Sequence, residues 1–306
     1  MSAFNAYMAL SGAYDADVVR NERLSLRTSY RIGGPADLLV TVHSYKALLK
    51  TIEVLSREKV EWVILGRGSN VLVSDEGYRG CVIKLGREFS RVRQDEDGAI
   101  VAGAGANLSS LVSETLSRGL SGLEFCAGIP GSVGGALAMN AGSRHEWMGG
   151  RVTSMVTLRP AEGLRRWSAH ELEWGYRWTS LPTSEIILEA SFALVPKGKE
   201  AVAFEMERRM ASRRQRQPLC QPSCGSVFRN PGDKSAGRLI QDCGLKGYRV
   251  GGAQVSELHA NFIINTGSAS AQDVLDVMRH VHDVVLEAQG IDLLPELKCL
   301  GFGARA

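Results

Sequence analysis

The sequence lacks any long apolar run and any clear targeting segment. None of its apolar stretches approaches the ~20 residues that are needed to span a bilayer. The N-terminal residues have neither the basic start nor the compact apolar core of a signal peptide. We therefore expect a cytoplasmic protein that does not have a membrane as a partner.

A strong excess of charge of one sign is also absent. The 306 residues carry 36 basic and 33 acidic side chains, and the formal net charge is +3. We therefore do not expect the polycationic surface of a nucleic-acid-binding protein. Hydrophobic residues make up 44% of the chain, which is typical of a globular protein and excludes a disordered or low-complexity class.

Paired cysteine motifs are missing as well. The six cysteines form no CxxC pair, and a chain of this length does not need disulfides for stability. Cys220 and Cys224 have no second pair and no histidines to complete a zinc site. His280 and His282 lie two positions apart on a predicted helix and point to different faces. We expect reduced thiols and no metal site.

Hydrophobic periodicity predicts three units after a loose polar lead-in over residues 1–19. The predicted boundaries are 20–85 and 86–196 for two α/β units and 197–306 for the third unit. Within them, the sequence predicts helices over 44–58, from 107 onward, over 201–217 and over 270–289, and strands over 62–65, 71–73, 81–85, 99–102, 154–158, 186–194 and 261–265.

The first segment that indicates chemistry is Gly66-Arg67-Gly68-Ser69-Asn70, between two predicted strands. Glycines allow positive φ and let consecutive N–H groups converge into an anion-binding nest. The side chains of Ser69 and Asn70 would add donors. A tight glycine turn explains the same residues equally well, so both interpretations stay open.

The second segment, residues 128–136, is the densest glycine run in the chain. Its small side chains suit a buried loop on which a flat or diphosphate ligand lies against bare backbone, and a helix-packing segment is the alternative. It is neither a Rossmann fingerprint nor a P-loop. Two glycine nests suit a long ligand with a central diphosphate, and FAD fits that description better than NAD.

Further motifs follow in order along the chain. They are Asp75-Glu76-Gly77, Gly122-Leu123-Glu124-Phe125, Met139-Asn140-Ala141-Gly142, Tyr176-Arg177, Gln217-Pro218, 225–231, 236–240, 244–247, Ser256, 259–262 and Pro295-Glu296. Together with the glycine segments they closely resemble the UDP-N-acetylenolpyruvoylglucosamine reductase (MurB) family. The compact spacing between Arg177 and Ser226 resembles the shorter subtype of that family.

The resemblance implies an α+β fold. It consists of a two-part FAD-binding region of the vanillyl-alcohol-oxidase-like type and a C-terminal α+β substrate-binding domain. It implies an NADPH-dependent flavin oxidoreductase that reduces the nucleotide sugar UDP-N-acetylglucosamine enolpyruvate to UDP-N-acetylmuramate, in peptidoglycan and cell-wall synthesis. NADPH would reduce the flavin first and leave. We expect the enzyme to be a monomer.

The resemblance assigns catalytic roles to three residues. Arg177 would stabilise the negative charge that hydride addition spreads toward the substrate carboxylate, because its planar fork suits a carboxylate and stays protonated. Ser226 would donate the proton that completes the reduction. Glu296 would act in acid–base or charge-positioning chemistry, and we expect its pKa to be perturbed.

The same resemblance places other residues at the cofactor and the substrate. Tyr176 and Asn230 would contact the substrate, and Arg214 on the basic helix would neutralise its diphosphate. The predicted cofactor-binding residues are Gly66, Arg67, Gly68, Ser69, Asn70, Ile129, Pro130, Gly131, Ser132, Gly134, Gly135 and Asn140.

One departure and two alternative functions accompany this interpretation. The family often continues Tyr-Arg with Asp-Ser, whereas Trp178 and Thr179 stand here, so the hydrogen bonds around Arg177 are expected to differ. Another flavoenzyme on the same scaffold is one alternative. The first glycine loop has no histidine for a covalent link, which favours non-covalent FAD, and Cys126 leaves a cysteinyl link open. A nucleotide-sugar-binding protein without catalysis is the other alternative.

Overall fold

A computed structural model describes residues 2–12, 14–143 and 145–303. Chain contacts divide these residues into two compact units, each built from separate stretches. Unit 1 contains the chain up to Arg20, Leu38–Arg67 and Gly80–Ala211. Unit 2 contains Asn21–Asp37, Gly68–Arg79 and the described chain from Ser212 onward. The three contiguous domains predicted from the sequence stay a prediction.

The helices and strands are short and alternate along the chain. The described α-helices are α1 (Ala3–Leu10), α2 (Tyr45–Arg57), α3 (Leu108–Ser117), α4 (Val133–Ala138), α5 (Lys199–Arg216), α6 (Ala236–Asp242) and α7 (Ala271–Gln289). The described strands are β1 (Ala16–Arg23), β2 (Pro35–Val42), β3 (Trp62–Ile64), β4 (Val71–Val73), β5 (Tyr78–Leu85), β6 (Val92–Gln94), β7 (Ile100–Gly103), β8 (Leu120–Ser121), β9 (Val152–Arg159), β10 (Gly163–Ser168), β11 (Trp174–Gly175), β12 (Trp178–Thr179), β13 (Ile186–Phe192), β14 (Val195–Pro196), β15 (Arg249–Val250), β16 (Ala253–Val255), β17 (Ile263–Asn265) and β18 (Lys298–Leu300).

Local capping explains why the long helices begin where the sequence predicts. The Ser44 side chain accepts a hydrogen bond from the Ala47 N–H at the start of α2. At the start of α7, Ser270 and Asp273 form a reciprocal capping box. Both predicted helices are confirmed. The prediction of a loose lead-in is wrong, because Ala6 and Leu10 lie one helical turn apart and bury the inner face of α1.

Unit 1 holds an antiparallel sheet in the order β10-β9-β13-β7-β6. The strands β9 and β13 pair with Ile186 opposite Leu158. A second sheet has the order β1-β2-β5-β3, in which β3 runs parallel to β5. Apolar side chains of α3 and α4 pack with those of β7 and β13 in one core cluster, and α2 packs with β2 and β5 in another.

The second glycine segment divides into a loop and a helix. Residues up to Gly131 form a loop, and α4 begins after Ser132, whose Oγ accepts a hydrogen bond from the Gly135 N–H at 3.2 Å. The predicted buried loop therefore covers only the first half of the segment. The small residues of the second half form a helix, as the alternative interpretation proposed.

Unit 2 is built around α7 and the three-stranded sheet β15-β16-β17. The strand β18 pairs in parallel with β4, with Cys299 opposite Leu72. Tyr30 and Leu72 are fully buried in the same core as Val281 of α7. Among the residues that the structure describes, no helix is long and apolar enough to cross a membrane.

Candidate active site

A cavity of about 350 Å³ lies within unit 1. The residues that line it come from both glycine segments and from the strands around them. They are Ile64, Leu65, Gly66, Arg67, Lys84, Leu85, Ala104, Gly105, Asn107, Ser132, Gly134, Gly135, Ala138, Glu185, Ile186 and Ile187. The fold therefore brings Gly66 and Arg67 onto one cavity with Ser132, Gly134 and Gly135.

The glycines of this cavity are needed because other atoms approach them closely. A Cβ on Gly66 would overlap Ser132 Oγ, and a Cβ on Gly134 would lie 2.8 Å from Ala104 Cβ. Side chains at these positions would fill the space between the two glycine segments. The resulting walls of bare backbone suit a diphosphate, so these residues fit the middle of an FAD molecule.

Two cationic side chains add positive charge at the same walls. The Lys84 ammonium group donates a hydrogen bond to the Gly66 carbonyl at 2.6 Å. The Arg67 guanidinium donates to Asn107 Oδ1 at 2.9 Å. Both cations line the cavity and would favour an anionic ligand. Lys84 and Asn107 were missed as site residues, since a strand lysine and a helix-capping asparagine carry no distinctive signal.

The remaining residues of the first glycine segment belong to unit 2, where Gly68 makes a tight turn. Gly68 has φ +63°, and a Cβ there would lie 2.9 Å from Thr28 Cα. Its carbonyl accepts a hydrogen bond from the Ser29 N–H at 3.1 Å. Asn70 Nδ2 donates to the Glu296 carbonyl at 3.2 Å. The two open interpretations therefore apply to different glycines, a ligand cradle at Gly66 and a turn at Gly68.

Other predicted cofactor-binding residues are neighbours in sequence of the residues that line the cavity. The Gly131 carbonyl accepts the Leu108 N–H at 3.0 Å and so joins the second glycine loop to α3. The Ile129 N–H donates to the Cys126 carbonyl at 2.9 Å. Cys126 is buried, with its Sγ 3.6 Å from Met148 Sδ. Ile129, Pro130, Gly131 and Cys126 are not among the described residues that line the cavity.

Arg177 stands at the tip of a short hairpin. Gly175 of β11 pairs with Trp178 of β12, which leaves Tyr176 and Arg177 as the two turn residues. Arg177 has φ +56°, a conformation that normally favours glycine. Its guanidinium lies over the Tyr176 ring at 4.9 Å and donates a hydrogen bond to the Gly142 carbonyl at 3.3 Å. Trp178, the first residue after the turn, is half-exposed.

Asn140 holds this hairpin in place. Its buried side chain donates from Nδ2 to the Gly175 carbonyl at 2.8 Å and accepts at Oδ1 from the Gly149 N–H at 2.9 Å. Asn140 itself has φ +40°. These bonds give Asn140 a positioning role next to Arg177, and its contact with the cofactor stays a prediction.

Unit 2 brings Ser226 and Glu296 onto neighbouring segments. Phe228 pairs with Pro295 in an antiparallel bridge, and the Glu296 N–H donates to the Val227 carbonyl at 2.7 Å. Ser226 pairs in turn with Phe262. Ser226 is partly exposed, and the Glu296 residue is only 7% exposed. A hydroxyl and a carboxyl group are therefore carried by adjacent extended segments.

Buried hydrogen bonds join the segment that carries Ser226 to Asn261. Asn261 accepts the Phe228 N–H at 2.9 Å and donates to the Phe228 carbonyl at 2.8 Å.

Burial raises the pKa of the Cys224 thiol to about 12, and the Glu296 carboxylate adds to that increase. A thiol with so high a pKa stays protonated and unreactive near neutral pH.

The three predicted substrate residues lie in different surroundings. Asn230 Oδ1 accepts the Ala236 N–H at 3.0 Å and so supports the start of α6. Arg214 is exposed on α5, and Tyr176 is 47% exposed beside Arg177. Asn230 and Arg214 belong to unit 2, and Tyr176 belongs to unit 1. Their predicted contacts with substrate stay predictions.

The domain content defines the class of protein. A family model described as an FAD binding domain matches residues 36–158. That range includes all the described residues that line the cavity except Glu185, Ile186 and Ile187, which lie just before and at the start of β13. The fold and the cavity define an FAD-binding flavoprotein, and the FAD prediction is confirmed.

Relatives along the whole chain define the family. A model described as the UDP-N-acetylenolpyruvoylglucosamine reductase C-terminal domain matches residues 217–300. The chain is 41% identical to UDP-N-acetylenolpyruvoylglucosamine reductase of Bacillus subtilis over 93% of this chain and 94% of that protein. It is 42% identical to the reductase of Caldanaerobacter subterraneus over 92% and 93%. The chain belongs to the UDP-N-acetylenolpyruvoylglucosamine reductase family, as the motifs predicted.

A solved structure supports the same fold. The crystal structure of UDP-N-acetylenolpyruvylglucosamine reductase (MurB) from Thermus caldophilus superimposes with a TM-score of 0.81. The two sequences are 35% identical, and the match covers 93% of this chain and 98% of that chain. The predicted fold class, an FAD-binding region followed by a C-terminal reductase domain, is confirmed.

Proposed function

We propose that this protein is an NADPH-dependent flavoenzyme that reduces UDP-N-acetylglucosamine enolpyruvate to UDP-N-acetylmuramate. The observation that carries the proposal is the placement of Ser226 and Glu296 on adjacent, hydrogen-bonded segments of the C-terminal reductase domain. A nucleotide-sugar-binding protein without catalysis would have no need for this pair. FAD, when bound, would supply the redox chemistry, which is hydride transfer from NADPH to the substrate double bond.

Arg177 stabilises the charge that develops during hydride addition. Hydride joins one carbon of the enolpyruvyl double bond, and its electron pair pushes negative charge through the other carbon toward the carboxylate. A guanidinium binds that carboxylate through two parallel hydrogen bonds and does not lose its proton. Stacking on Tyr176 and the hydrogen bond to Gly142 restrict the guanidinium to one side of the hairpin.

Ser226 donates the proton that completes the reduction. Its hydroxyl hydrogen goes to the carbon beside the carboxylate, and the resulting alkoxide regains a proton from solvent. A serine hydroxyl is a weak acid, so this step requires the strongly basic carbon that hydride addition creates. Glu296, buried on the neighbouring segment, serves in acid–base or charge-positioning chemistry at the same step.

The remaining assignments complete the proposal. Tyr176 and Asn230 contact the nucleotide sugar, and Arg214 neutralises its diphosphate. Lys84, Arg67 and the glycine cradle hold the diphosphate of non-covalent FAD. The burial of Cys126 against Met148 supports the absence of a cysteinyl link. We infer a monomer that acts in the cytoplasm, where the nucleotide-sugar precursors of peptidoglycan are made.

An anaerobic titration of the purified protein tests the reaction. We expect a yellow protein whose visible flavin absorbance is bleached by NADPH and returns only when the enolpyruvyl nucleotide is added. UDP-N-acetylglucosamine, which lacks the enolpyruvyl group, is the matched control and should leave the protein bleached. Bleaching that the enolpyruvyl nucleotide does not reverse would contradict the proposed substrate. Denaturation should release the flavin into the supernatant.

A further inference from the structure

Glu185 is a buried carboxylate with one unused oxygen. Its side chain is 0% exposed. Oε1 accepts a hydrogen bond from Arg159 Nε at 3.1 Å. Oε2 is also buried and has no hydrogen-bond partner among the residues that the structure describes. Sequence reasoning did not identify Glu185, because a single glutamate before a strand carries no signal.

The pairing of two strands places this carboxylate at the cavity. Glu185 directly precedes β13, and Ile186 pairs with Leu158 of β9. Because these strands are antiparallel, Arg159, the residue after Leu158, lies beside Glu185. Glu185 lines the cavity that the two glycine segments form. A second cavity shares Ile64, Glu185 and Ile186 with the first and includes none of the glycine residues among its described lining. Glu185 therefore lies where the two cavities meet, beyond the glycine cradle.

An unpaired oxygen on a buried carboxylate is costly. The Arg159 guanidinium compensates the charge through Oε1 alone, and a carboxylate oxygen accepts up to two further hydrogen bonds. Removing such an acceptor from water without replacing its hydrogen bonds is unfavourable. A hydrogen-bond donor on a bound ligand would replace the hydrogen bonds to water that this oxygen loses on burial. The cavity thus requires a donor on the ligand at this point.

We propose that Glu185 Oε2 accepts a hydrogen bond from the adenosine half of FAD and makes the protein select FAD over FMN. Adenosine offers two kinds of donor, the adenine amino group and the ribose hydroxyls. The flavin half offers N3–H and the ribityl hydroxyls, but two carbonyl oxygens flank N3–H and would be repelled by a carboxylate, and the ribityl chain is attached directly to the flavin ring. Reduction also adds negative charge to the flavin, which a neighbouring carboxylate would oppose. The apolar walls of Ile64, Ile186 and Ile187 suit a purine.

This inference rests on the FAD site of the proposed function, and its test measures cofactor binding instead of turnover. Flavin-free protein is titrated with FAD and with FMN by calorimetry, for the wild type and for Glu185→Gln. We expect FAD to bind about tenfold more weakly to the variant, because a charged acceptor is lost. FMN lacks adenosine, so its affinity should change less than about twofold.

Glu162→Gln is the matched control. Glu162 Oε2 also binds the Arg159 guanidinium, at 3.0 Å, but the Glu162 side chain is 66% exposed and lines the second cavity only, not the glycine cavity. This variant removes a carboxylate from the same arginine, and FAD affinity should stay within about twofold of the wild type. A loss equal to that of Glu185→Gln would mean that the arginine cluster acts structurally, which would overturn the proposal.

FAD analogues identify the donor with the wild-type protein alone. One analogue carries hypoxanthine, which has a carbonyl oxygen in place of the adenine amino group, and another carries 2′-deoxyribose. A loss of about tenfold with one of them assigns the donor to the amino group or to the ribose. Equal affinity for FAD and both analogues would overturn the proposal, even if Glu185→Gln does not fold.

Two further outcomes separate this inference from the proposed function. Unchanged FAD affinity in Glu185→Gln, or an equal loss of FAD and FMN affinity, would overturn the role of Glu185 and leave the reductase intact. A wild-type protein that cannot be loaded with FAD would instead contradict the cofactor site itself. A cooperative thermal unfolding transition in each flavin-free protein shows that the variant is folded.

Discussion

Arg177 occupies a backbone conformation that disfavours its own side chain. At φ +56° the Cβ of an L-residue crowds the backbone, which costs about 1 kcal/mol. Glycine or asparagine would fit this hairpin tip with less strain. Strained residues of this kind cluster at functional sites, where the side chain has a task. Arg31, Lys59 and Ala161 also have positive φ, so the strain at Arg177 agrees with a chemical role for its guanidinium that the motif, and not the backbone alone, assigns.

Arg177→Lys should separate the two half-reactions. Lysine keeps the charge but loses the planar fork, so flavin reoxidation by the enolpyruvyl nucleotide should slow by about 10²- to 10³-fold. Flavin reduction by NADPH should stay within about twofold, since it does not involve the substrate carboxylate. Stopped-flow absorbance measures both steps. Arg166→Lys on the exposed face of β10 is the control, and equal slowing of both half-reactions by Arg177→Lys would contradict the assigned role.

Gly66→Ala should weaken FAD binding through a purely steric effect. Gly66 has no positive φ to lose, but the new Cβ would overlap Ser132 Oγ. Ser132 Oγ caps α4 through the Gly135 N–H, so moving it costs about 1 kcal/mol and narrows the cavity. We expect FAD affinity to fall at least about tenfold in fluorescence titrations.

Gly150→Ala is the matched control for this prediction. A Cβ on Gly150 has its nearest neighbour at 3.5 Å, an ordinary contact. This variant should keep the FAD affinity of the wild type. Equal affinities for Gly66→Ala and Gly150→Ala would show that the two glycine segments do not form the cofactor cradle.

Among the larger elements, α7 carries a histidine that links the helix to the segment that follows it. His282 Nδ1 lies 2.9 Å from Asp283 Oδ1, and its Nε2 lies 3.0 Å from Asp292 Oδ1, beyond the end of the helix. These two carboxylates raise the pKa of His282 above its usual 6.5. The His282 ring therefore binds its proton more tightly in the folded state than in the unfolded state.

The stabilising effect of His282 should depend on pH in a defined direction. It is fully present below about pH 6.5, the unfolded pKa, and is lost as pH rises through the higher folded pKa. Urea unfolding at pH 6 should show His282→Gln to be less stable than the wild type by up to about 1 kcal/mol, because the pairs are partly exposed. The difference should shrink toward pH 9. If His282→Gln lowers the stability as much in an Asp292→Asn background as in the wild type, that result would contradict the ion pair between His282 and Asp292.

The elements differ in how far the sequence predicted them. Helix α2 and helix α7 carry caps and regular apolar spacing, so their positions follow from local signals. Ser226 and Glu296 were found through motifs, but the residues that their backbones pair with or bond, Phe262 and Val227, lie far from them in sequence. Lys84 and Glu185 were missed, because their roles arise when β5 and β13 bring them to one cavity. Such juxtapositions depend on tertiary pairing, which local spacing does not encode.

At the scale of the whole molecule, the two units alternate along the chain. The core of unit 2 contains Tyr30, Ile32 and Leu72, although most of its residues follow Ser212. Its strand β18 pairs only with β4 among the described strands, more than 200 residues earlier. Contiguous segments of the sequence therefore do not contain all of the apolar partners that unit 2 buries.

A fragment of residues 197–306, the third domain predicted from the sequence, should not fold cooperatively alone. It lacks three large side chains that are 2% exposed or less in the intact core, and losing each of them costs about 2–5 kcal/mol. Their combined loss, about 6–15 kcal/mol, is comparable to the whole stability of a typical domain, about 5–15 kcal/mol. We expect no sharp urea transition by near-ultraviolet circular dichroism, whereas the intact chain should show one. A cooperative transition in the fragment would mean that unit 2 is stable without Tyr30, Ile32 and Leu72, and the contiguous boundary at 196/197 would then be the better description of the molecule.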